Sequence, residues 1–320
     1  MRLGFAVKVL GQPALKSNDT RRWQNEPHLS VSLIYVRDIL FYLRRVGIHM
    51  YRLASDLAPY ATHPDLPQFH RQVAECRAEL AEIGRLAREA DVRLSFHPSA
   101  YTVLSSPTED IAAKSLADLE TLAEMLDAMS LDGNAIIVTH VGGSYDDKAA
   151  AMDRFVARWH GLSDRARARL ALENDERSYA VPELRRIYER TGIRLVFDYL
   201  HYLNNNPARQ DVRQALALCL DTWPADVTPK IHFSSPRTEM RVMERSNPAS
   251  GRRESVLKPP LWTQHADFIN PFEFINFLAK TGGLLPFDVM LEAKAKDLAV
   301  LRLAEDLRHF APHWAAKAEP

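Results

Sequence analysis

Short apolar runs alternate with longer amphipathic stretches along the whole chain. Residues 2–10 and 48–53 read as strands, and between them Leu33, Ile34, Val36, Ile39, Leu40 and Leu43 recur at helical spacing over 30–46, closed by Gly47. Residues 92–96, 134–139, 169–172, 194–197, 229–234 and 288–292 continue the strand series. These runs are short, rich in aliphatic residues and bounded by polar segments, as expected of strands buried in a parallel sheet. Helical spacing predicts helices around 69–90, 108–129, 182–190 and 296–310. The distances between successive runs suit βαβ crossovers rather than hairpins. Eight such units in 320 residues predict one α/β domain, a (β/α)₈ TIM barrel over residues 1–312, with 313–320 as a loose tail.

One segment is out of scale. Between the seventh strand and a helix starting near Pro271, residues 235–270 form a basic insertion, carrying Arg237, Arg241, Arg245, Arg252, Arg253 and Lys258 against Glu239, Glu244 and Glu254. A loop of this length is usually functional or disordered. Its basic excess lies on the face where the strands end, which points to an anionic partner; a solvated charged insertion is the alternative.

The strand ends carry the candidate chemistry. His97, His140, Glu173, Asp198, His201, His232 and Glu292 fall at or just past them, and His63 and His265 lie in loops leaving the same face. Taken singly, Asp198 reads as a helix N-cap and His201 as its satisfied partner. The repetition decides otherwise, because the strand ends of a barrel converge on one site. Imidazoles and carboxylates without thiolate suit Zn²⁺, Mn²⁺, Fe or Co. Nine candidates exceed what one catalytic ion uses, so two or three ions are expected. Close metals suit phosphate-ester hydrolysis: they polarise the phosphoryl group, lower the pKa of bound water and hold attacking and leaving oxygens in line. Lys230 points the same way as His232, two residues on. It touches a phosphate, is modified into a ligand, or pairs with Glu292 or Glu173. Lys294 stands in the same relation to Glu292, to pair with it or face a substrate backbone.

Composition adds bounds. The chain is 46% apolar and 26% charged, ordinary globular usage, and its 41 Lys plus Arg balance 41 Asp plus Glu. Whole-chain charge therefore gives no reason to expect a polyanion, and any such site must be local. Cys76 and Cys219 fall in helical segments without CxxC spacing, as small buried residues of a protein in the reducing cytoplasm. Lys8 interrupts the first apolar run and a polar 16–22 segment follows, unlike a signal peptide; no run approaches a membrane span.

Several stretches together resemble the UV-damage endonuclease family. They are Arg2-Leu3-Gly4-Phe5, Tyr51-Arg52-Leu53-Ala54-Ser55-Asp56, Leu94-Ser95-Phe96-His97-Pro98-Ser99, Thr139-His140-Val141-Gly142-Gly143, Leu172-Glu173-Asn174-Asp175, Phe197-Asp198-Tyr199-Leu200-His201, Lys230-Ile231-His232-Phe233-Ser234, His265-Ala266-Asp267 and Met290-Leu291-Glu292-Ala293-Lys294. The resemblance implies a TIM barrel related to endonuclease IV, with a divalent metal cluster that commonly includes Mn²⁺. It also implies cutting of damaged double-stranded DNA without ATP or another nucleotide cofactor, immediately 5′ of the lesion, leaving a 3′-hydroxyl. Cyclobutane dimers, 6-4 photoproducts and, for some members, abasic sites are the family's substrates. Carried over by position, the metal ligands are His63, His97, His140, Glu173, Asp198, His201, His232, His265 and Glu292, with Lys230 the site lysine beside Glu173 and His232 as catalytic groups.

The sequence departs from the family in one place that matters. After His97-Pro98-Ser99 the family has Gln-Tyr, which wedges into the duplex at the lesion; here the pair is Ala100-Tyr101. Tyr101 can stack on bases, so the change bears on affinity and selectivity for damage and leaves the metal chemistry intact. Phe5 stands where the family often has Tyr, and with Ala100 and Tyr101 it is a candidate lesion contact. Arg237, Arg241, Arg252, Arg253 and Lys294 are the candidate DNA-backbone contacts. Two rivals remain open: a sugar isomerase or epimerase on the same barrel, which has no use for the basic insertion, and a catalytically silent damage-binding protein, which has no use for a full metal set. With no amphipathic extension or repeat, a monomer is expected.

Overall fold

The computed structural model of the protein describes residues 1–247 and 250–318. Its eight barrel strands are β1 (Leu3–Ala6), β2 (Met50–Arg52), β3 (Arg93–Ser95), β4 (Ile137–Thr139), β5 (Leu170–Glu173), β6 (Arg194–Val196), β7 (Lys230–Phe233) and, after four further strands, β12 (Asp288–Leu291). Every ladder among them is parallel. They form a TIM barrel in two sectors, one ordered β3-β2-β1-β12-β7 and the other β4-β5-β6. Single bridged pairs, Phe96 with Ile137 and Asp198 with His232, join the sectors. At the second seam the His232 N–H donates to the Phe197 carbonyl at 2.9 Å, tying two candidate site strands at the level of the site.

Helices cover the outside. Leu29–Val46 buries Leu33, Val36, Ile39, Leu40 and Leu43 of the predicted stripe but leaves Ile34 exposed, and it ends in Gly47 at φ 72°, where a side chain would be strained. The helix predicted over 69–90 is interrupted: Gln72–Glu75 and Arg77–Glu89 meet at Cys76, whose φ of −102° and ψ of 23° are not helical. Apolar spacing does not reveal the helices at Lys148–Gly161, Asp164–Arg169 and Tyr199–Asn204, while the helical segment expected around Cys219 is the helix Val212–Leu220. Arg169, expected to open β5, is instead the last residue of the helix before it.

The first strand is shorter than predicted. Val7 adopts φ 65°, and the Lys8 N–H turns back to the Ala6 carbonyl at 2.9 Å, which ends the ladder. The insertion at 235–270 is not a loop, apart from residues 248–249, which lie outside the described residues. It folds into two antiparallel ribbons: β8 (Pro236–Arg237) pairs with β11 (Leu261–His265), and β9 (Arg241–Ser246) with β10 (Arg253–Lys258). Nor are residues 313–318 loose: Pro312–Ala315 is a helical turn, Trp314 packs on the core, and the Lys317 carbonyl accepts from the N-terminal ammonium at 2.8 Å. Residues 319–320 of the predicted tail lie outside the described residues. Among the described residues no helix is long and apolar enough to cross a membrane, and both cysteines are buried and free.

Candidate metal centre

Glu173, the last residue of β5, is the hub of the strand-end face. It is buried, and four imidazoles surround its carboxylate. His232 Nδ1 lies 2.9 Å from Oε1 and His201 Nδ1 3.6 Å from it, while His97 Nε2 and His140 Nε2 stand 3.3 and 3.6 Å from Oε2. Glu292, one residue past β12, extends the group: His232 Nδ1 is 3.4 Å from its Oε1 and His265 Nε2 3.6 Å from its Oε2. Asp198 completes it, 3.7 Å from His201 Nδ1. Eight of the nine residues expected as ligands thus converge.

The N-cap reading of Asp198 is met and leaves one oxygen available for the ligand reading. Oδ1 accepts the His201 N–H at 2.7 Å and starts the helix Tyr199–Asn204, while Oδ2 is buried without a hydrogen-bond partner. His232 Nε2 and His140 Nδ1 are also buried and unpartnered. Orphaned buried donors and acceptors carry a desolvation cost that a bound cation would offset. Ligand atoms of His97, His140 and Glu173 lie within 4.8 Å of one another, as do those of Glu173, Asp198, His232 and Glu292. The residues present therefore fit a divalent metal group, with an all-nitrogen-and-oxygen donor set that suits Zn²⁺, Mn²⁺, Fe or Co.

The electrostatics agree. Burial pushes the Glu173 carboxyl up, but His232 and His140, with hydrogen bonds from His232 and His97, hold it well below the usual carboxylate range. Glu292 is likewise held well below that range against burial, chiefly by Arg52 and His232. Asp198, raised by burial and by Glu173 and Glu292, reaches about 8 despite His201. Burial disfavours charge on His201, yet Asp198, Glu173 and Glu292 raise it to about 10, whereas burial takes His232 down to about 4. Without a cation, the surplus negative charge of three buried carboxylates retains protons at Asp198 and His201.

Other expected residues lie elsewhere. His63 makes its contacts in its own loop, where Nδ1 accepts the Asp65 N–H at 3.3 Å, and it lines a cavity of about 240 Å³ with Tyr60, Ser99 and Asp118. Lys230 is fully buried, and its Nζ donates to Ser95 Oγ at 2.9 Å; no ion pair forms with Glu173 or Glu292. Behind the cluster it has no surface on which a phosphate could rest. Phe5 is fully buried and packs edge-on against Tyr51, so it forms barrel wall and not a base-stacking surface. Arg237 is buried with Nη2 3.4 Å from the Pro259 carbonyl, which removes it from the exposed phosphate contacts. Arg241 is engaged with Glu239 and Asp267 at 2.8 and 2.9 Å. Arg252 and Arg253 are exposed, Arg253 beside Glu244, and Lys294 is half-buried. Ala100 and Tyr101 stand at the tip of the loop after His97, with Tyr101 86% exposed, free for stacking.

Three supporting groups escape sequence reasoning. Arg52 on β2 hydrogen-bonds Glu292 Oε1. Asn174 grips the Asp198 backbone through Oδ1 at 2.8 Å and Nδ2 at 3.0 Å, and its carbonyl accepts from His201 Nδ1 at 2.8 Å, fixing that ring. Ser234 Oγ holds His265 Nδ1 at 2.7 Å. The only signal in the sequence is position: polar residues at or just past strand ends, where core packing asks for none.

The profile of the family described as UV-endonuclease UvdE matches residues 28–313. A UV DNA damage endonuclease of Bacillus velezensis is 35% identical over 263 residues, covering 82% of this chain and 75% of that one. The crystal structure of SacUVDE superposes with a TM-score of 0.78 at 27% identity, covering 97% of this chain and 98% of that one. Endonuclease IV of Thermus thermophilus shares the fold, with a TM-score of 0.57 at 15% identity, covering 98% of this chain and 100% of that one. Matched along most of its length, the chain belongs to the UV-endonuclease UvdE family.

Proposed function

We propose that the protein is a metal-dependent repair endonuclease that nicks double-stranded DNA immediately 5′ of UV photoproducts and leaves a 3′-hydroxyl. Cyclobutane dimers and 6-4 photoproducts are the primary lesions, with abasic sites a further substrate. The observation that carries this reading is the convergence of Glu173 with His97, His140, His201 and His232 around buried donors that lack partners. The name its relatives carry, UV DNA damage endonuclease, supports the choice of substrate.

His97, His140, Glu173, Asp198, His201, His232, His265 and Glu292 would hold two or three divalent ions, Mn²⁺ among them. Such a group, when bound, supplies Lewis-acid polarisation of the scissile phosphate and activation of water. The chain's own residues do the rest. Asn174 and Ser234 orient His201 and His265, and Arg52 keeps Glu292 ionised and in place. Lys230, whose amine meets Ser95 behind the cluster, is a positioning residue. Tyr101 stacks at the lesion, where damaged stacking makes deformation cheaper. Arg252 and Arg253 meet backbone phosphates and make binding salt-sensitive.

The test is strand cutting with Mn²⁺ on a duplex carrying one thymine dimer and on its undamaged twin, with the product ends mapped. A cut immediately 5′ of the dimer, lost with a chelator, is expected. Binding of the damaged duplex without a cut would favour the silent damage-binding reading that Ala100 raises, and a cut elsewhere would overturn the proposed specificity.

A further inference from the structure

Two backbone outliers stand on the strand-end face beside the cluster. Val7 has φ 65°, and Lys8 donates its N–H back over it to the Ala6 carbonyl. Lys296, which opens the helix Asp297–Phe310, has φ 55° and ψ −123°. Both are conformations that L side chains rarely adopt, and such strain persists where surrounding contacts impose it. The two turns leave neighbouring strands, since Leu3 pairs with Val289 and Gly4 with Met290 across β1 and β12.

The imposed contacts are visible. Fully buried Asp297 fastens one turn to the other: its Oδ1 accepts the Leu10 N–H at 2.7 Å, and its Oδ2 accepts the Gly11 N–H at 2.9 Å and the Tyr42 hydroxyl at 2.6 Å. The Tyr51 hydroxyl donates to the Val7 carbonyl at 2.5 Å. This frame carries Lys8 on one turn and Lys296 on the other. Lys8 is exposed and Lys296 half-buried, and neither Nζ has a hydrogen-bond or ion-pair partner among the described residues. Burial, then Arg52, and with them Lys8, disfavour the Lys296 charge, while Glu292 favours it. Crowding two lysines and Arg52 around Glu292, the one carboxylate that favours the Lys296 charge, is unfavourable in the free protein. Arg52 is already committed to Glu292.

We propose that Lys8 and Lys296 together seat one backbone phosphate of the bound strand, beside the Glu292 edge of the cluster. This rests on the reading of the protein as a DNA endonuclease. Two flexible point charges suit a tetrahedral phosphate, which needs no planar fork. The rigid frame sets where that phosphate lies relative to Glu292, so the pair would fix the register of the strand and not act on the bond being broken.

The experiment measures binding of the thymine-dimer duplex across a salt series for the wild type, Lys8→Met/Lys296→Met, Lys296→Gly and Lys296→Arg, with nicking followed in Mn²⁺. The double variant should lower the slope of log K against log salt by about 0.9, one phosphate contact, and raise KM for nicking while leaving kcat nearly unchanged. Lys296→Gly should weaken binding like a methionine, although glycine accepts the backbone conformation readily. Lys296→Arg should restore binding. An unchanged slope in the double variant overturns the seat, as does wild-type binding by Lys296→Gly, which would assign any methionine effect to the backbone. If the slope changes on mutation but the wild type never nicks, the seat stands and the endonuclease reading falls. If the wild type binds no duplex, both fall.

Discussion

Replacing Lys230 by methionine tests the interior behind the cluster. The side chain is fully buried, and burial, reinforced by Arg52 and Arg93, takes its amine well below the ordinary lysine value of 10.5. Between the folded and unfolded values the unfolded chain holds a proton that the folded chain lacks. Wild-type stability therefore falls as pH is lowered through that window, by about 1.4 kcal/mol per pH unit. Methionine has similar volume and no proton to lose. It forfeits one hydrogen bond to Ser95, worth about 1 kcal/mol. Relative to wild type, the variant should gain about 1.4 kcal/mol for each unit below 10.5 until the folded value is reached. At about 2.1 cal/mol/K of unfolding entropy per residue, a chain of 320 residues converts that into about 2 °C per unit. Thermal melts of metal-free protein between about pH 10 and pH 8 measure it. A melting difference that stays constant over that range would refute the neutral amine. Nicking supplies the companion readout: Lys230→Met should lower kcat with KM for DNA unchanged, because the amine is screened from the substrate.

Glu173→Gln and His232→Ala should each abolish nicking while circular dichroism stays native; normal turnover in either would remove the residue from the metal set. Metal uptake at pH 7 should release at least one proton per chain, because His201 at about 10 and Asp198 at about 8 hold protons that a cation displaces, and apparent affinity should rise with pH. Calorimetry in two buffers of different ionisation enthalpy reads this, and equal heats would contradict it. Tyr101→Ala should reduce the preference for dimer-containing over undamaged duplex by about tenfold, one stacking contact. Ala100→Gln should increase that preference, and neither change should alter metal affinity.

The barrel, and the convergence of strand-end imidazoles and carboxylates on one face, are legible in the sequence because both are written in strand positions. An apolar run that ends in His or Glu is visible without a structure, and the fold sends every such end to one face. His63 belongs to no strand, so its loop decides its neighbours, and that loop holds it among its own contacts. Phe5 and Arg237 mislead for a related reason: residue type suggests an exposed partner, while register and ribbon pairing bury both. The ribbons of 236–265 lack apolar alternation strong enough to identify them, because both faces of β9 and β10 are largely exposed. Asn174 and Arg52 can be placed in sequence but not assigned, since a supporting role depends on what each touches.

The barrel's two narrow seams give the cluster a mechanical meaning. Glu173 and Asp198 belong to the β4-β5-β6 sector, while His97, His232 and Glu292 belong to the other, so contacts from Glu173 to His97 and His232 cross both gaps. Where backbone pairing thins to single bridges at Phe96–Ile137 and Asp198–His232, the site is the stitching. Ions held there would act as rivets between two arcs of the barrel, and their loss would loosen the wall at Phe96 and His232 before any outer helix came away.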